Sequence, residues 1–148
     1  MTSTPQYLLL HEVQILRPNV EHLPTSQKCS CFYGFSSRNH CNAFMLNSPL
    51  HLVPIPLSKL HLTTELEALG VGLHVIAIDA HGPTDPDVEV ATMEVILQAH
   101  EQNFTQVNTS YRLTFDQLTS TYRLCEHHHL NPLCPSVRSS AWIMKSDS

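Results

Sequence analysis

The alternation of apolar and polar positions divides this chain into short strand-like and helix-like runs, separated by clusters of proline, glycine, serine and asparagine. Residues 6 to 16, QYLLLHEVQIL, put Tyr7, Leu9, Val13 and Ile15 on one side, while Leu8, Leu10 and Leu16 make the other side apolar too. That profile predicts a strand covered on both faces. Residues 51 to 57, HLVPIPL, carry Pro54 and Pro56. Proline brings no N–H to a central ladder, so an edge strand or a polyproline segment is expected. Ser58 is placed to cap a helix over KLHLTTELEAL, with Leu60, Leu66 and Leu69 toward the core and Gly70 as its stop. A later start at Thr64, with Glu67 completing a capping box, is the alternative. The uncharged, β-branched run LHVIAI, 73 to 78, predicts a strand buried on both faces.

Beyond the turn AHGPT, Asp85 offers a capping oxygen, Pro86 has its φ preset for a first helical position, and Asp87 and Glu89 suit the positive end of a helix dipole. A helix over 86 to 102 is therefore expected, with Val88, Ala91, Val95 and Ala99 on one stripe. The triplet Tyr-Arg-Leu occurs at 111 to 113 and again at 122 to 124. That spacing fits whole helical turns, but the alternation of Tyr111, Leu113 and Phe115 and the frequent threonines favour two strands. Strand, helix and strand over 73 to 116 predict a βαβ unit with a parallel pair. Residues 17 to 49 hold no sustained period and read as an irregular cysteine-containing segment; 131 to 148 read as a tail that Trp142 anchors. The expectation is one small α/β or α+β domain spanning 1 to 148, with its core over about 50 to 125.

Composition narrows the partners. A chain of 148 residues buries roughly two thirds of its unfolded surface, so no staple is required. Charged residues make up 14%, against about 25% in ordinary soluble domains, and histidine is in surplus. Such a balance fits a young or overlapping reading frame, as in small viral accessory proteins, or a protein that lives in a complex. The net charge of −5 comes from scattered acids and bases, with no basic stripe for a phosphate backbone, so nucleic acid is not an expected partner. The N-terminus lacks the basic and long apolar regions of a secretory signal, and no apolar run approaches the ~20 residues that span a bilayer. A cytoplasmic location without a transmembrane segment is expected. Five cysteines, an odd set, then read as thiols or metal ligands.

Two clusters carry candidate chemistry. If the strand over 73 to 78 runs on, Asp79 and His81 project together from its carboxyl end, where open sheets place ligands, and Asp85 or Asp87 adds an oxygen for a metal ion. The triplet Asp79-Ala80-His81 resembles the strand end of the arginase-like ureohydrolases, a family that places a further Asp where this chain has Pro83. That likeness is short and is not adopted; turn chemistry alone also places Asp and Gly there. The second cluster is Cys29, Cys31, His40 and Cys41, close enough to converge on zinc, with Cys125, His127, His128, His129 and Cys134 as a second half-site. Its Cys-x-Cys spacing aims two sulfurs inward less well than Cys-x-x-Cys. No phosphate loop, nucleophile elbow or zincin motif is present.

On this footing the first expectation is a non-enzymatic accessory or adaptor protein that binds another protein. Leu50, Leu52, Val53, Ile55 and Leu57 would form the contact strip. A small metal-dependent hydrolase on Asp79, His81 and Asp85, or a zinc-stabilised binding module, are the alternatives, so zinc is the one cofactor considered.

Overall fold

The structure is a computed structural model, described for residues 1 to 23 and 27 to 126. In chain order its elements are β1 (Thr2–Ser3), β2 (Tyr7–His11), β3 (Gln14–Ile15), β4 (Val20–His22), β5 (Cys29–Gly34), α1 (Arg38–Leu46), β6 (Leu52–Pro56), α2 (Lys59–Leu69), β7 (Leu73–Ile78), β8 (Asp87–Thr92), α3 (Met93–Gln102), β9 (Gln106–Val107), β10 (Tyr111–Asp116) and β11 (Thr121–Glu126). This is a mixed α+β domain. Six strands form one sheet in the order β4-β11-β10-β8-β7-β5, three form a second in the order β3-β2-β6, and β1 pairs with β9.

The sheets join at β5, where Tyr7 and Phe35 exchange backbone hydrogen bonds of 2.9 Å. The connection from β3 to β4 then touches both edges of the large sheet. Leu16 O accepts from Tyr33 N–H on the β5 side at 3.3 Å, and Asn19 O accepts from Tyr122 N–H on the β11 side at 2.7 Å. One short segment thus draws the two edges together and curls the sheet. Alternation along the strands sorts their side chains. Cys31, Tyr33, Val75, Ala77, Val88, Val90, Leu113, Tyr122 and Leu124 fill the inner face, which Phe44 of α1 covers. Phe32, Ile76, Ile78 and Ala91 face outward onto Leu62 of α2 and Met93, Ile96 and Ala99 of α3.

Several local expectations give way to this arrangement. The single strand over 6 to 16 is two strands, because Glu12 adopts φ 58° and reverses the chain so that Leu10 faces Ile15. The segment 17 to 49 is not irregular: it contains β5 and α1. The βαβ unit is replaced by antiparallel pairing. Residues 87 to 92 form β8, paired antiparallel to β7 with Ala77 facing Val90, and β10 is antiparallel to β8 in turn. Burial of Val88 and Val90 at period two outweighs the helix-starting signals of Asp85 and Pro86. The helix begins only at Met93, where Thr92 Oγ1 accepts from Val95 N–H at 3.3 Å. The parallel partner of β7 is β5, Gly34 facing Ile78, reached through α1, β6 and α2.

The expected helix over 59 to 69 forms with Ser58 as its cap, accepting from His61 N–H at 3.1 Å, and with Gly70 at φ 75° as its stop. Its buried stripe is Leu62, Leu66 and Leu69 at helical spacing, whereas Leu60 is 75% exposed. The two Tyr-Arg-Leu triplets lie on β10 and β11, paired so that Leu113 faces Leu124. The tail with Trp142 lies outside the described residues.

Candidate functional site

Strands β5 and β7 end in step, so the chain leaves both at one end of the sheet. Gly34 must be glycine there, since a Cβ would collide with Ile76 Cγ2 on β7. Asp79 donates its N–H to Gly34 O at 2.9 Å and then takes φ 58°, a left-handed conformation that costs a non-glycine residue about 1 kcal/mol. That turn brings the Asp79 carboxylate back over the end of β5. Oδ1 accepts from Ser36 N–H at 2.8 Å and Oδ2 from Ser36 Oγ–H at 2.7 Å.

The same turn separates the two residues expected to act together. Two positions on, His81 is on the surface, with its side chain 78% exposed and Nδ1 3.0 Å from Asp85 Oδ2. Asp85 Oδ2 also accepts His81 N–H at 2.9 Å, and Oδ1 accepts Asp87 N–H at 3.3 Å, so this carboxylate organises its own turn. It does not cap a helix. Asp87 lies 3.8 Å from Arg112. His81 and Asp85 thus meet each other, but Asp79 does not join them.

The partner Asp79 does meet is His40, from the cysteine cluster. Ser37 caps α1, its Oγ accepting His40 N–H at 3.2 Å. The His40 ring folds back over this cap, with Nδ1 2.7 Å from Ser37 Oγ and 3.4 Å from Ser36 Oγ. The Ser36 hydroxyl proton is already given to Asp79, so the close donor to Nδ1 is Ser37. With Nδ1 accepting, the ring proton sits on Nε2, the nitrogen 3.8 Å from Asp79 Oδ2. That separation is longer than a hydrogen bond, but it sets a carboxylate against the nitrogen whose charge rises when Nδ1 takes a proton. A serine hydroxyl and a carboxylate thus lie near the two nitrogens of one imidazole, with His40 45% and Asp79 16% exposed. Arg38 and Asn39, in the first turn of α1, have backbone N–H groups that no earlier helical carbonyl can receive. Ser36 and Ser37 also line an open cleft of about 520 Å³, together with Gln6, His100 and Phe104.

The cysteines lie elsewhere. Cys29 and Cys31 are on the inner side of β5, and Cys41 is fully buried beneath α1. Burial pushes Cys41 up to about 11, and raises Cys31 and Cys29 as well. These thiols stay protonated at neutral pH and pack as small apolar groups. Among the described residues no group of three His, Cys, Asp or Glu side chains is placed to hold a metal ion. Cys125 is buried on β11, and His127 to His129 and Cys134 lie outside the described residues.

The strip around the two prolines is divided. Leu52 and Leu57 are core residues, Ile55 is partly buried against the outer cluster, and Leu50 and Val53 are 41% and 47% exposed. β6 is an edge strand, as its prolines require. Leu57 N–H donates to Gln6 O at 2.8 Å, so the N–H groups of Val53 and Ile55, in step with it, also face β2. The outward positions 54 and 56 are the prolines, and that edge offers a partner strand almost no donors. Among the described residues no helix is long and apolar enough to cross a membrane. No family model, curated protein or solved structure matches this chain.

Ser36 and Ser37 were not singled out by sequence. The available signal was the apolar run CFYGF ending in two serines, with His40 three residues after Ser37. That is a strand leaving for a capped helix, the local context of an exposed nucleophile.

Proposed function

We propose that this protein is a serine-dependent hydrolase of the acyl-transfer class, with Ser37 as nucleophile, His40 as general base and Asp79 as the carboxylate that stabilises protonated His40. The observation that carries the reading is the 2.7 Å contact between Ser37 Oγ and His40 Nδ1, with Asp79 beside the opposite ring nitrogen. Ser37 Oγ attacks an acyl carbon as its proton passes to Nδ1. The leaving group departs with that proton, and water, activated by the same nitrogen, releases the acid. The unpaired first-turn N–H groups of α1, which follow Ser37 directly in the chain, are the donors this reading assigns to the oxyanion. The adaptor reading is left with Leu50 and Val53 as its exposed strip residues, and the metal-dependent reading with His81 and Asp85 in contact but Asp79 turned away to Ser36.

A plain helix cap would also hold Ser37 where it is, and one substitution separates the roles. Ser37→Asn keeps a capping oxygen and removes the nucleophile, whereas Ser37→Ala removes both and costs about 1 kcal/mol. Both variants are expected to lose at least roughly a thousandfold of p-nitrophenyl acetate turnover, and to lose labelling by a fluorophosphonate probe, with Ser37→Asn melting near the parent. Retained labelling in Ser37→Asn sinks the proposal.

A further inference from the structure

A second cleft, of about 500 Å³, opens on the outer side of the molecule between the β2–β3 turn and α2. Its size falls in the range of small-ligand sites. The wall residues that matter are Arg17, Glu65, Ile15, Leu16 and Phe32. Arg17 Cζ lies 4.6 Å above the centre of the Phe32 ring. Phe32 is a fixed platform, only 4% exposed and packed in the outer core. This cation–π contact holds the guanidinium at the cleft wall through its π-face partner, and its N–H donors suit a planar oxyanion. Among the described residues no carboxylate lies within ion-pair distance of Arg17. The acid of this cleft, Glu65, is 3.8 Å from His61 one turn earlier on α2. The rest of the lining is the apolar Val13, Ile15, Leu16 and Phe32 together with two polar side chains, His11 and Gln14.

A simple anion would meet Glu65 as a like charge, and a simple cation would meet Arg17. A ligand with an anion at one end, an ammonium at the other and an apolar body satisfies all three parts of the cleft. We infer that this cleft binds a small apolar zwitterion of the amino-acid or dipeptide class, with its carboxylate on Arg17 and its ammonium on Glu65. The site is separate from Ser37 and does not depend on the hydrolytic reading.

Leucyl-leucine is the probe, titrated into the full chain while backbone amide resonances are followed. Saturable shifts are expected at Ile15, Leu16 and Phe32. N-acetyl-leucyl-leucine and leucyl-leucine amide, which each lack one charge, should bind at least tenfold more weakly. Arg17→Lys keeps the charge but not the fork and should weaken the parent dipeptide; Glu65→Gln should weaken it while the N-acetyl form, relieved of a like charge, binds no more weakly than before. Absence of saturable shifts at millimolar dipeptide, or equal binding of the three ligands to the unmodified protein, overturns the inference. That comparison needs no variant to fold.

Discussion

The two faces of the six-stranded sheet are filled by different chemistry. Outward, toward α2 and α3, the contacts are Leu62, Ile76, Ile78, Met93 and Ile96, with one buried imidazole, His74, whose Nε2 lies 2.9 Å from Gly70 O and whose Nδ1 has no partner among the described residues. Inward, the sheet buries aromatic rings and polar atoms together. Tyr122 Oη–H donates to Asp85 O at 2.8 Å, and the Tyr33 side chain is buried on the same face. Phe44 lies 4.8 Å from Tyr33 and 5.4 Å from Phe35 between ring centres, which seats α1 over this face. The outer face supplies cohesion through shape. The inner face also fixes directions, and the placement of Ser37, His40 and Asp79 hangs on the helix and strand ends that it holds.

The comparison predicts its own largest effects. Phe44→Ala should cost about 3 to 5 kcal/mol and Ile96→Ala about 2 to 5, read by chemical denaturation. Under conditions where both variants remain folded they should differ at Ser37. Phe44→Ala loosens α1 and slows fluorophosphonate labelling there, whereas Ile96→Ala leaves it unchanged. Equal slowing in both would dissolve the distinction between the faces.

A smaller effect belongs to the buried hydroxyls. Tyr122→Phe leaves Asp85 O without the hydroxyl that donates to it, and should cost about 1 to 3 kcal/mol. Alkali probes the same groups without mutation. Burial, the first cause, raises both Tyr33 and Tyr122 above the usual 10.0. The folded state therefore holds protons that the unfolded state releases. Their stabilisation is fully present below pH 10 and is lost as pH climbs toward the raised folded values. Cys41, raised by burial from 9.0 to about 11, adds a loss that begins lower, between those values. Thermal melts should fall as pH rises above 9, and Tyr122→Phe should flatten the part above 10. A flat profile in the parent would mean that these groups are hydrated.

Much of this difference was legible in the sequence, and the losses have definite causes. LHVIAI and the paired Tyr-Arg-Leu runs declared strands because their burial is written in β-branched and aromatic residues. Ser58 and Gly70 bounded α2 because capping is local chemistry. The stretch DVEVA was misread because its end signals, Asp85 and Pro86, are local, while the pairing that makes it β8 comes from β7 and β10. The site was half legible. Asp79 and His40 both stood among the candidates, but each was assigned to a different cluster. Their meeting depends on the parallel register of β5 and β7 and on one left-handed residue, and neither is encoded in spacing along the chain.

The smallest expected effect tests the edge that closes the second sheet. At the start of β6 the neighbours Leu52 and Val53 take opposite sides, and Leu52 is 7% exposed while Val53 is 47% exposed. The backbone edge beyond them is blunted by Pro54 and Pro56, which carry no N–H toward an incoming strand. Val53→Asp should therefore change stability by no more than about 0.5 kcal/mol, the range of ordinary surface positions. It should leave the sedimentation of the chain unaltered as well, because the edge it decorates recruits no second copy. If Val53→Asp unfolds the protein, or converts an associated form to a monomer, then β6 is covered by another chain. The exposed half of the strip would then be an interface, and the adaptor reading would recover its located support.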